Sequence, residues 1–90
     1  MKRVRVRDGE SEGRNILSLD KETILELGWE DAFPIAIEFF GDTMVLYQKK
    51  NLRLAKKSGH DIIFRNNVLK DAKVVKVKAV DDLLYIKKVK

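Results

Sequence analysis

The chain is expected to fold as a mostly β protein: a small closed barrel of six or seven strands with two short helices. Two similar halves, about residues 1–48 and 49–90, would supply it. Three observations lead to this expectation. Short runs with apolar residues at every second position recur along the chain, the period of a strand with one solvated face. Glycine, asparagine and aspartate punctuate these runs at short intervals, as turns require. The order of strands, caps and turns in the first half then returns in the second. Either half alone would leave open strand edges and half a core, and closing the two into one barrel removes both defects.

The elements follow in order. Val4 and Val6 alternate with Arg3, Arg5 and Arg7, which reads as a first strand, and Asp8 to Gly13 is a polar connection. Ile16 to Leu19 is a second short strand. Asp20 is placed to cap a helix, with Glu22 favourable in its first turn, an apolar side of Ile24, Leu25 and Leu27, and Gly28 as a left-handed stop. Pro34 opens a strand in which Ile35, Ile37 and Phe39 share a face, Gly41-Asp42 turns it, and Thr43 to Tyr47 returns. The chain then alternates through Leu52 and Leu54 into a polar loop, Ala55 to Gly59. Asp61 to Arg65 reads as a strand, Asn66 as the cap of a very short helix holding Val68 and Leu69, and Val75 to Ala79 and Leu83 to Val89 as a hairpin turned at Asp81-Asp82. In this register Val4 and Val6 correspond to Leu52 and Leu54, Gly13 to Gly59, Ile16 and Leu17 to Ile62 and Ile63, and Asp20 to Asn66. Ile35, Ile37 and Phe39 correspond to Val75, Val77 and Ala79, and Ile35, Ile37, Phe39, Val75 and Val77 are the expected barrel interior.

Ninety residues make one domain, and a chain of that size buries only roughly 60 to 65% of the surface its unfolded form exposes. Cysteine is absent, which excludes disulfides and thiolate metal sites and accords with a reducing, cytoplasmic setting. The opening MKRVRVRD lacks the apolar run of about 7 to 15 residues that a signal peptide needs, and no apolar stretch is long enough to cross a bilayer. The formal charge of +5 is uneven. Residues 1–48 carry 6 basic and 10 acidic side chains, residues 49–90 carry 13 and 4. Such asymmetry suits an anionic partner or head-to-tail self-association.

Catalytic and cofactor chemistry finds little support. His60 and Asp61 alone cannot enclose a metal. Ser11, Ser18 and Ser58 have no histidine at a motif spacing, and Glu10 and Glu12 sit in a polar loop that offers no burial to raise a carboxyl pKa. The glycines of Gly9-Glu10-Ser11-Glu12-Gly13 are followed by no Gly-Lys-Ser/Thr, and the two glutamates would repel a phosphate. The expectation is therefore a protein that is not an enzyme and has no metal or cofactor. The constellation that remains is basic. Arg3, Arg5 and Arg7 share a strand face, Arg14 follows the first loop, and Lys50, Arg53, Lys56 and Lys57 crowd the second, so that the repeat would present two basic ridges to successive phosphates.

Gly13-Arg14, Leu17 to Glu22, Leu27-Gly28-Trp29, the Ile35 to Phe40 strand, Gly41-Asp42 and Val45-Leu46 together resemble the swapped-hairpin domain of AbrB-type transition-state regulators and MazE-type antitoxins. The resemblance covers residues 13–48, about 40% of the chain. Asp20 stands where that family usually has proline, Asn15 and Ile16 lengthen the segment after Arg14, and Ala32-Phe33 replaces a usual Gly-Asp. The family domain is about half this length and dimerises by exchanging hairpins, whereas this chain carries both halves. It is similar in that respect to the duplicated cradle-loop barrels, in their RIFT and double-psi forms, which include small archaeal proteins. The resemblance implies the barrel, and it implies DNA contacts from basic loop and strand residues, among which Arg14 matches the motif.

Two functions are thus expected as alternatives: binding of DNA, in the manner of AbrB-like transcriptional regulators, or a non-catalytic module whose basic face takes an acidic protein. Charges of both signs with little glutamine or asparagine also fit ion-pair networks useful at high temperature. No membrane association is expected, and the chain would act as a monomer or a homodimer. Phe40 and Trp29 are the aromatics best placed to cap a barrel end or a dimer seam.

Overall fold

The computed structural model describes residues 1–9, 13–50, 53–66, 68–69 and 72–89. Eight strands and one helix follow in order: β1 (Lys2–Asp8), β2 (Asn15–Ser18), α1 (Lys21–Leu27), β3 (Pro34–Phe40), β4 (Thr43–Gln48), β5 (Ala55–Ser58), β6 (Asp61–Phe64), β7 (Val74–Val80) and β8 (Leu83–Lys88). The strands close into a barrel in the order β1-β2-β6-β5-β3-β4-β8-β7, with every neighbouring pair antiparallel. This architecture is compatible with a cradle-loop barrel. Closure leaves no free edge for another strand to join.

The topology is that of an internal repeat, because exchanging β1–β4 with β5–β8 maps the strand order onto itself. The hairpin β3–β4 pairs Ile35 with Gln48, and β7–β8 pairs Val75 with Lys88, so Ile35, Ile37 and Phe39 do hold the positions of Val75, Val77 and Ala79. Val45 pairs with Tyr85, its own counterpart, which places the pseudo-two-fold axis between β4 and β8 at that pair. In the other strands the register differs from the sequence alignment. Val4 pairs with Val75 as Ala55 does with Ile35, so Val4 corresponds to Ala55 and Val6 to Lys57; of the counterparts the sequence suggests, Leu54 precedes β5 and Leu52 lies outside the described residues. Leu17 in turn corresponds to Ile62.

The barrel has eight strands, where six or seven were expected, because Ala55 to Ser58 forms a strand and not a polar loop. Lys57 is the reason the sequence misleads there. It points inward at a position whose counterpart is a valine, and its ammonium lies 2.5 Å from Asp31 Oδ1. The second helix is also absent among the described residues. Asn66 takes a positive φ of 57° and Val68 and Leu69 lie in turns. A left-handed residue cannot be a helix N-cap, which needs extended backbone.

Helix α1 has the cap and the stop that the sequence reading gives it, but not its apolar side, from which Leu25 turns away to solvent. Asp20 Oδ1 accepts from the Thr23 N–H at 2.8 Å, and Gly28, at φ 62°, donates to Ile24 O at 3.2 Å. So short a helix has too few hydrogen bonds to stand alone. It is pinned to the β7–β8 turn, where Trp29 Nε1 donates to Asp82 O at 2.8 Å and the Asp81 N–H to Glu26 Oε1 at 3.3 Å. Trp29 is therefore buried, as part of the core. The helix buries Thr23 and Leu27, while Leu25 is exposed.

The interior is filled by residues from both halves: Leu17, Ile35, Leu46, Ile62, Phe64, Val75, Leu84 and Ile86 have essentially no exposed surface. Phe39, expected inside, is 60% exposed, since its end of β3 runs past the rim of the barrel to the Gly41-Asp42 turn.

Candidate nucleic-acid interface

Val4 and Val6 face the core, so the alternation of β1 turns Arg3, Arg5 and Arg7 to solvent. What they join there is set by the ladders. Arg7 lies opposite Ile16, Ile16 opposite Ile63, and Ile63 opposite Lys56, giving a row across β1, β2, β6 and β5 with a cation at each end. One interval along, Ser18 faces Asp61 and Asp61 faces Ser58. The Arg7 guanidinium donates to Ser18 Oγ at 2.7 Å and reaches Asp61 Oδ1 at 3.5 Å, while Ser18 Oγ donates to Asp61 Oδ1 at 2.6 Å. Asp61 is the one acidic residue at the outward positions of this four-strand face, and it serves to hold Arg7 in place.

The two ends of the face are equivalent by the internal two-fold, Lys56 being the counterpart of Arg5. Around Lys56, a cavity of about 250 Å³ is lined by Arg53 and Arg65 together with Pro34 and Ala55. On its other side β1 meets β7, and Arg3 lies opposite Lys76, which lies opposite Lys87. Directly opposed like charges destabilise a sheet, yet none of these three has a carboxylate within ion-pair distance among the described residues. With Lys88 they border a hollow in which Asp42 is the single acid.

Of the residues singled out in the sequence, Arg3, Arg5 and Arg7 thus fall at one rim of this face and Arg53 and Lys56 at the other, with Ile16, Ile63, Ser18, Asp61 and Ser58 between them. Arg14 is half-buried where β2 begins, and its carbonyl accepts from the Gly9 N–H at 2.9 Å. Lys50 is exposed beyond the end of β4. Lys57 is turned inward. Sequence reasoning missed Arg65, Lys76 and Lys87, since only strand pairing brings the two lysines beside Arg3. Lys2, at the start of β1, is committed to Asp20, and a second carboxylate, Glu22, lies 3.6 Å away. The hydrogen bond from Lys2, followed by those from Thr23, holds the Asp20 carboxyl well below the usual carboxylate range, and Asp20 in turn raises the Lys2 ammonium.

No group of three or more His, Asp or Glu side chains among the described residues is arranged to hold a metal ion. Among the described residues, no helix is long and apolar enough to cross a membrane. No family model matches the chain, and no curated protein and no solved structure matches it either.

Proposed function

We propose that this protein binds nucleic acid, DNA foremost, through phosphate contacts made on the β1-β2-β6-β5 face and its two rims. The observation that carries this reading is the pair of basic rims, Arg3, Arg5 and Arg7 on one side and Arg53, Lys56 and Arg65 on the other, with Arg5 and Lys56 related by the internal two-fold. Three strand spacings separate β1 from β5, roughly 14 Å along the surface, a span comparable with the about 12 Å width of a B-DNA major groove. Arg14 and Lys50, which flank the rims in the chain, are further contacts. The resemblance of residues 13–48 to the AbrB and MazE regulators, and of the whole to their duplicated cradle-loop relatives, supports the same reading.

Binding of this kind weakens as salt rises, with a log–log slope of about −0.9 for each phosphate neutralised. Fluorescence anisotropy of labelled duplex DNA across a salt series tests it. Arg5→Ala and Lys56→Ala are each expected to reduce the slope by about one and to weaken binding alike on unrelated sequences. Absence of binding at low salt, or a loss confined to one rim, would overturn the proposal. An acidic protein in place of DNA would show itself as equal binding to polyglutamate and to duplex.

A further inference from the structure

On the opposite side of the barrel, the outward face of β3, β4, β8 and β7 differs in kind. A hollow of about 590 Å³ there is walled by Phe40, Val45, Tyr47, Leu83 and Tyr85. Phe40 is 59% exposed and Val80, beside Leu83, 41%. The barrel has no free strand edge, so a partner must meet this sheet face to face.

The pattern of charge on the face says what that partner is. Glu38 pairs with Val45, Val45 with Tyr85, and Tyr85 with Lys78, so one row crosses four strands with an acid at one end and a base at the other. The row beside it runs Phe40, Thr43, Lys87, Lys76. A two-fold axis lying between two such faces and parallel to β4 and β8 reverses each row. Glu38 of one molecule then meets Lys78 of the other, Val45 meets Tyr85, and the Phe40 ring meets the Lys76 ammonium, a favourable cation–π arrangement. An axis running across the strands would instead oppose Glu38 to Glu38 and Lys78 to Lys78. Val45 and Tyr85, at the middle of the row, lie nearest the axis. Tyr47 Oη, 2.9 Å from Glu38 Oε1, holds that carboxylate at its end of the row.

We infer that this face is the seam of an isologous homodimer, closed by two reciprocal Glu38–Lys78 pairs about an apolar centre at Val45 and Tyr85. This inference does not depend on what the basic face binds. Within one molecule Glu38 and Lys78 are three strand spacings apart, roughly 14 Å, beyond the about 8 Å Debye length at physiological ionic strength. Any dependence of one charge on the other is therefore intermolecular.

Sedimentation equilibrium over a concentration series, with circular dichroism to confirm folding, decides the matter. The wild-type chain is expected to dimerise and Val45→Glu to be monomeric. Glu38→Lys and Lys78→Glu, each of which opposes like charges twice per dimer, should weaken association roughly tenfold. The double variant E38K/K78E should recover it. A wild-type chain that stays monomeric throughout, or a double variant no better than the single ones, would overturn the inference.

Discussion

Lys57 shows how a single charged side chain is accommodated in a small barrel. Its stem occupies a valine's place in the wall and its ammonium emerges to meet Asp31, whose Oδ1 also lies 3.3 Å from the Gly59 N–H. Long basic side chains often bury their methylenes in this way. Removing one member of a buried pair strands the other, whereas replacing the buried charge by an apolar residue of similar volume is often neutral or stabilising. Asp31→Ala should therefore lower the urea midpoint more than Lys57→Met does. The pair also has a pH signature. The hydrogen bond from Lys57 holds the Asp31 carboxyl below its ordinary 3.8. A depressed carboxylate contributes stability that is present above the unfolded value and lost as pH falls through the folded one. Relative to the wild type, Lys57→Met should gain stability as pH falls below about 3.8, read from urea midpoints at stepped pH; a gap independent of pH would argue against the pair.

At the scale of elements, local signals decided what was legible. The N-cap at Asp20 and the left-handed stop at Gly28 mark α1 in the sequence because each does one conformational task. Nothing lies within 4 Å of a Cβ built on Gly28, so an alanine there meets no clash and the penalty is that of the backbone alone. Gly28→Ala should cost about 1 kcal/mol and Gly28→Asn less, measured as shifts in the unfolding midpoint; equal stability of all three would mean that the helix end relaxes. The β3–β4 and β7–β8 hairpins were legible for a similar reason, each being an alternating run broken by a two-residue turn. β5 was hidden because Ala55-Lys56-Lys57-Ser58 has neither β-branched nor aromatic residues, and its inward lysine inverts the pattern that periodicity relies on. The second helix was overestimated because Asn66 serves helix caps and left-handed turns equally well, and only the backbone shows which applies.

At the scale of the whole molecule, the candidate interface was half legible. Arg3, Arg5 and Arg7 declare a basic strand by spacing alone, but their meeting with Lys76 and Lys87 is a consequence of long-range pairing that no local window contains. The same long-range pairing makes the two halves of the chain mutually dependent. The ladders β1–β2, β3–β4, β5–β6 and β7–β8 lie within a half, while β2–β6, β3–β5, β4–β8 and β1–β7 all join one half to the other. Residues 1–48 alone therefore retain two hairpins with no ladder between them, and isolated two-stranded hairpins are marginal in water. Each would also expose its share of the interior, Leu17, Ile35 and Leu46 from this half, against Ile62, Phe64, Val75, Leu84 and Ile86 from the other. Two peptides, 1–48 and 49–90, should each lack a cooperative thermal transition and regain one when mixed in equal amounts, followed by circular dichroism and by the dispersion of amide resonances. If residues 1–48 folded unaided as a monomer, the shared interior would not be what holds the barrel together.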